Sequence, residues 1–252
     1  MSYRTLDAVQ IVDKLRQLEQ RIRERFPESG LAKVCRELVG IGAETQHRAE
    51  AIAKPHTAVR IIVYVAIAAG VIGLVTVALV FTQSVQLQMG NEVFGLFQGI
   101  EAAMNITVLT GAALFFLITL ETRIKRRRAL DDLHVFRSIA HVIDMHQLTK
   151  DPSALLDRIT PTASSPARTM GRHELMRYLD YCSEMLSLTN KLAALYAQNL
   201  PDSVVIDTVN DIEELTTNLS SKIWQKISIL ESHEVAVPSA EVRPPDRRNN
   251  PP

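Results

Sequence analysis

The sequence predicts an all-α membrane protein: a two-helix transmembrane hairpin carrying long cytoplasmic α-helical hairpins of coiled-coil or bundle type. Three observations lead there. Residues 61–120 are sixty consecutive positions without Lys or Arg, and only Glu92 and Glu101 among them are acidic. The flanking segments repeat apolar residues every three or four positions, the period of a one-sided helix. Strand-like alternation is found nowhere. The whole chain balances 28 Lys and Arg against 28 Asp and Glu over 252 residues. That balance argues against a globally basic nucleic-acid binder, so no nucleic-acid partner is expected.

The N-terminal unit, residues 1–56, reads as a cytoplasmic helical hairpin. Thr5 can cap a helix whose stripe is Ala8, Ile11, Leu15, Leu18 and Ile22. Residues 27–30 (Pro-Glu-Ser-Gly) break it. A second helix then carries Leu31, Val34, Leu38, Ile41 and Thr45 on one face, ending near Lys54-Pro55.

Residues 57–122 form the membrane unit. The first span, about 61–81, is 21 uncharged residues, roughly 30 Å as a helix and so matched to a bilayer's hydrocarbon core. Its β-branched residues are poor helix formers in water. In lipid, every backbone group must bond within the segment, so helix is still expected. The second span, about 93–120, ends sharply at Leu120 ahead of Arg123, Lys125, Arg126, Arg127 and Arg128. Residues 1–60 hold eleven Lys and Arg, and the connection between spans holds none. Cationic flanks resist translocation, so both termini are expected in the cytoplasm and a short loop around 82–92 outside. Sixty residues precede the first span, and no cleavable signal peptide is expected. The predicted location is a bacterial inner membrane or a plasma membrane.

Residues 123–148 read as a basic juxtamembrane helix continuing the second span, with Leu130, Leu133, Phe136, Ala140 and Ile143 as its stripe. Residues 149–170, with Pro152, Pro161 and Pro166, form a linker that can hold one turn of helix at 153–159. Residues 171–231 make the C-terminal cytoplasmic helical hairpin. Its first helix places Leu175, Leu179, Cys182, Leu186, Thr189, Ala193 and Tyr196 at heptad-like spacing. Its second, capped by Asp202 or Ser203, places Val205, Val209, Ile212, Thr216, Leu219, Ile223 and Leu230. Off-stripe Leu188, Leu192, Leu195, Leu215 and Ile227 leave surplus apolar area, which a second copy of the segment is expected to cover in preference to the N-terminal hairpin. Residues 232–252 are a disordered tail by composition.

Few residues point to chemistry. The ten glycines contain neither GxGxxG nor GxxxxGK[ST], and no cofactor is expected. No nucleophile–base set appears, so no catalytic residue is named and an enzyme is not expected. Cys35 and Cys182 lack CxxC or CxxH neighbours and fall in reducing cytoplasm, where a structural disulfide is not expected. His134, His141, Asp144 and His146 crowd one helix, yet at most two share a face, short of a metal's ligand set. Gln98, Glu101 and Asn105 make a polar stripe in the second span, suited to anchoring at the interface, interhelical hydrogen bonds or a pore lining. Ala66, Ala69, Gly70 and Gly73 offer close approach to another span helix, most economically that of the same chain. Arg123, Lys125, Arg126, Arg127 and Arg128 form a stop-transfer flank able to attract anionic lipid. Trp224, the sole tryptophan, is expected as a packing anchor.

The functional expectation is a non-enzymatic integral membrane protein: a self-associating helical scaffold, or an anchor for a cytoplasmic partner. The alternative is a small oligomeric channel or pore-forming effector. Membrane lipids, a homo-oligomer and a cytoplasmic protein are the expected partners.

Overall fold

A computed structural model of the chain describes residues 4–53, 57–87, 93–152, 162–165 and 170–235. Among them are six helices and no strand: α1 (Ala8–Arg25), α2 (Gly30–Ala53), α3 (Thr57–Leu87), α4 (Val93–Leu148), α5 (Arg172–Asn199) and α6 (Ser203–Val235).

Local chemistry sets the boundaries. Asp7, rather than Thr5, caps α1: its carboxylate accepts from the amides of Val9 at 2.9 Å and Gln10 at 3.4 Å. A carboxylate two residues closer to the apolar stripe displaces the hydroxyl as the cap. The Pro27–Gly30 break is observed, with the Ser29 hydroxyl accepting from the Ala32 amide at 3.2 Å. Asp202 caps α6 by accepting from Val204 and Val205 at 3.1 and 3.4 Å. α3 continues to Leu87, beyond the expected end of the first span. Thr82 is accommodated because its hydroxyl donates back to the Leu79 carbonyl at 2.9 Å. The expected turn of helix at 153–159 and most of the expected tail lie outside the described residues; residues 232–235 are the last turn of α6.

α1, α2, the second half of α4, α5 and α6 pack around one hydrophobic core. The expected stripes line it: Leu15, Leu18 and Ile22 of α1; Leu31 and Leu38 of α2; Leu133, Phe136 and Ile143 of α4; and all seven predicted positions on each of α5 and α6 are buried. Chain direction alternates through the bundle. α1 starts beside the end of α5, where the Leu6 amide donates to Gln198 at 2.8 Å. It ends beside the start of α5, where Phe26 meets Tyr178 and Tyr181 edge-on at 5.5 and 6.3 Å between ring centroids.

One expectation is corrected here. Leu192, Leu195 and Ile227 are buried, and Leu188 and Leu215 pack partly buried against the same core. The surplus area of the C-terminal hairpin is covered by α1, α2 and α4 of its own chain, not by a second copy of the segment. Intrachain docking avoids the entropy lost when two chains associate, and the five short stripes need one another to be buried at all.

α3 and the first half of α4 leave the bundle at one end. Their large apolar side chains are exposed, among them Ile61, Ile62, Val65, Val108, Leu109, Phe115 and Ile118. One stretch, Met104–Leu148 of α4, is long and apolar enough to cross a bilayer, and none of its apolar window is buried; on α3 the apolar stretch is Ile61–Gly73. α4 runs without interruption from that exposed segment into the core, 56 residues in one helix.

Candidate functional site: the collar where the bundle meets the apolar helices

The charged residues that follow Leu120 are drawn into specific contacts. Lys125 pairs with Glu121 one turn earlier at 3.1 Å, with both side chains largely buried. Arg123 lies over the Phe116 ring, 5.5 Å from its centroid. Arg126 donates to one oxygen of Asp202 through Nε at 2.9 Å and Nη2 at 2.7 Å. Arg127 and Arg128 are exposed. The five cations expected to act as one uniform flank therefore divide, and Arg126 clamps the α5–α6 turn to α4.

Asp202 is buried. Burial alone would raise its pKa. The hydrogen bond and charge of Arg126, with the amides of Val205 and Val204, outweigh that and hold the carboxyl below its ordinary 3.8.

A second network crosses from α2 through α4 to α5. Arg48 donates to Asp132 at 2.5 Å and to Glu44 at 2.9 Å. The Tyr196 hydroxyl donates to the other Asp132 oxygen at 2.8 Å. The hydrogen bond and charge of Asp132 raise the Arg48 pKa further, so the guanidinium stays charged. Burial, then Asp132, pushes the Tyr196 phenol well above its usual range. Between α2 and α4 this network borders a cavity of about 300 Å³ lined by Arg48, Ala51, Ile52, Lys125, Arg128, Asp131 and Asp132.

The remaining predicted residues are placed as follows. His134 and His141 are exposed on α4, Asp144 accepts from the Gln147 side chain at 2.6 Å, and His146 is half-buried. The His146 ring crowds Gly30, where a Cβ would overlap the ring. Among the described residues no group of three or more His, Cys, Asp or Glu side chains converges. Glu101 and Asn105 are exposed on the apolar half of α4, and the side chain of Gln98 lies outside the described residues. Ala66 and Gly70 are half-buried, whereas Ala69 and Gly73 are exposed. A Cβ at Gly70 would lie 3.6 Å from the Thr110 methyl of α4. Gly70 thus marks where the two apolar helices meet.

Two further features were not foreseen. Trp224 is 54% exposed and does not anchor the core. Ile223 and Ile227 take the inward face of α6, which turns the indole outward beside a cavity of about 390 Å³ at the far end of the bundle. Lys226, half-buried, donates to the carbonyl and side chain of Gln147. Burial lowers its pKa against the opposing pull of Asp151 and Asp144. Both cysteines are free and buried, and burial pushes each thiol up to about 12, which suppresses the reactive thiolate. Spacing on one helix could not reveal these cross-helix pairings.

No protein family, curated protein or solved structure matches the chain.

Proposed function

We propose that the chain is a non-enzymatic integral membrane anchor that holds a helical bundle against the cytoplasmic face of a bilayer, self-associates through its apolar hairpin and presents the bundle to a cytoplasmic partner. One observation carries this reading: α4 passes unbroken from an apolar stretch with none of its window buried into the core of the bundle. An exposed apolar surface of that extent is not tolerated in water, and lipid is the natural cover. In this reading α3 is a second span, antiparallel to the first half of α4, and both termini are cytoplasmic. The absence of Lys and Arg between residues 61 and 120 supports that orientation.

Glu101 supports the self-association. It is exposed on the apolar half of α4, and a carboxylate in a span ordinarily faces another helix or water rather than lipid. The same position favours a second reading, an oligomeric channel with Glu101 and Asn105 towards its axis. Reporter fusions test the anchor: a fusion after Glu231 should read cytoplasmic and one at Gln88 external, and a cytoplasmic signal at Gln88 overturns the two-span arrangement. Size analysis in detergent with ion flux in liposomes separates the two readings. Oligomers without flux fit the anchor, whereas flux lost in Glu101→Ala fits the channel.

A further inference from the structure

We propose that the cavity between α2 and α4 seats the phosphate of an anionic phospholipid, an inference that rests on the anchored reading above. The cavity is a different object from a diffuse cationic flank. It joins Arg48, which comes from α2 and lies far from the flank in sequence, to Lys125 and Arg128, and it excludes Arg126, which is committed to Asp202.

Three observations converge. The first is position. Lys125 and Arg128 lie five and eight residues past Leu120, or about 8 and 12 Å along the helix axis. The headgroup layer is roughly 5–8 Å deep on each side of a bilayer, so these long side chains start at its inner edge. The second is donor capacity. A guanidinium has five N–H donors and an ammonium three. Arg48 directs donors to Asp132 and Glu44, Lys125 directs one to Glu121, and each retains others for a phosphate. Asp132 has both oxygens engaged, by Arg48 and Tyr196, so it holds Arg48 in place; Asp131 also lines the cavity, and three cations there face two carboxylates. The third is the mixed lining. Ala51 and Ile52 add apolar surface to a charged site, which suits a phosphate with its glycerol and acyl chains better than a free ion. At about 300 Å³ the space sits at the small end of ligand sites, appropriate to a headgroup whose chains remain in the bilayer.

The test uses the full chain, purified in detergent and examined by native mass spectrometry with phosphatidylglycerol, phosphatidylcholine or inorganic phosphate added. One phosphatidylglycerol should remain bound per chain, at least about tenfold more tightly than phosphatidylcholine. With roughly 1 kcal/mol per cation at a membrane surface, Arg48→Gln/Lys125→Gln/Arg128→Gln should weaken it about 100-fold. Arg128→Gln alone, which leaves the Arg48–Asp132 pair intact, should weaken it about fivefold and keeps the test informative if the triple variant misfolds. The charge-matched Lys14→Gln/Lys33→Gln/Lys222→Gln, on exposed positions elsewhere, should bind as the parent does. Equal retention of the two lipids, equal loss in the charge-matched control, or displacement of lipid by inorganic phosphate at comparable concentration would each overturn the assignment. Carbonate extraction of cell membranes reports separately on anchoring: a chain that stays in the membrane but ignores lipid charge defeats this inference alone.

Discussion

Arg126 and Asp202 are 76 residues apart in sequence, yet the guanidinium of one places two hydrogen bonds, 2.9 and 2.7 Å, on a single carboxylate oxygen of the other. The second oxygen caps α6. One side chain thus starts a helix and fixes it to another. Asp202→Ala should lower bundle stability by about 1–3 kcal/mol, combining the lost cap with the lost charge-assisted bonds. Thermal unfolding of the detergent-solubilised protein by circular dichroism measures it.

The same residue sets a pH dependence. Its carboxyl titrates below 3.8 when folded and near 3.9 when unfolded, so the unfolded chain takes up the proton more readily. The stabilisation is complete above the unfolded value and is lost as pH falls through the folded one. The difference in Tm between the parent and Asp202→Asn should therefore be largest near neutrality and shrink as acid is added below about pH 4. A difference that stays constant down to pH 2 would contradict the pairing.

At Gly42, α2 packs closely on α1 and α5. A Cβ there would lie 3.2 Å from a Leu15 methyl, 3.4 Å from one of Leu192 and 3.5 Å from one of Val12. Flexible methyl ends can give by a few tenths of an ångström, so Gly42→Ala should be close to neutral, its helix propensity offsetting the crowding. Gly42→Leu forces apart three packed helices and should cost about 1–3 kcal/mol or more. Denaturant midpoints of the two variants, compared side by side, decide the matter.

Leu192 is fully buried within its own chain. Leu192→Ala should cost about 2–5 kcal/mol by leaving a cavity and should leave the oligomeric size of the detergent-purified protein unchanged. A shift to smaller particles by light scattering would return Leu192 to an interface between copies.

Cys35 and Cys182 should resist alkylation in the folded protein. With thiols near 12, the thiolate fraction at pH 8 is on the order of 10⁻⁴, far below that of a free cysteine. Intact-mass spectra after iodoacetamide should show no adduct until denaturant is added and two adducts afterwards.

What could be read from the chain alone follows from where its information is local. Apolar periodicity identified the inward faces of α5 and α6 down to Thr189 and Thr216, because a helix stripe depends only on residues a few positions apart. Pro27–Gly30 and Asp202 were legible for the same reason. The partner of each stripe was not. Leu188 and Leu192 announce unburied area without saying whether another chain or α1 and α2 will cover it. Arg48–Asp132–Tyr196 spans three helices, and no spacing on any one of them encodes it. Trp224 misled because a large aromatic suggests burial, whereas its angular position beside Ile223 and Ile227 places it outside.

The uninterrupted course of α4 has a mechanical corollary. At about 1.5 Å per residue its 56 residues make a shaft roughly 84 Å long. No glycine or proline lies between Gly111 and Leu148 to act as a swivel. Turning the apolar half about its axis must turn Phe136 and Ile143 with it, and those residues lie in the core that α4 shares with the other bundle helices. On the anchored reading, the azimuth of the apolar half in the bilayer sets the compass bearing of the whole bundle beneath it.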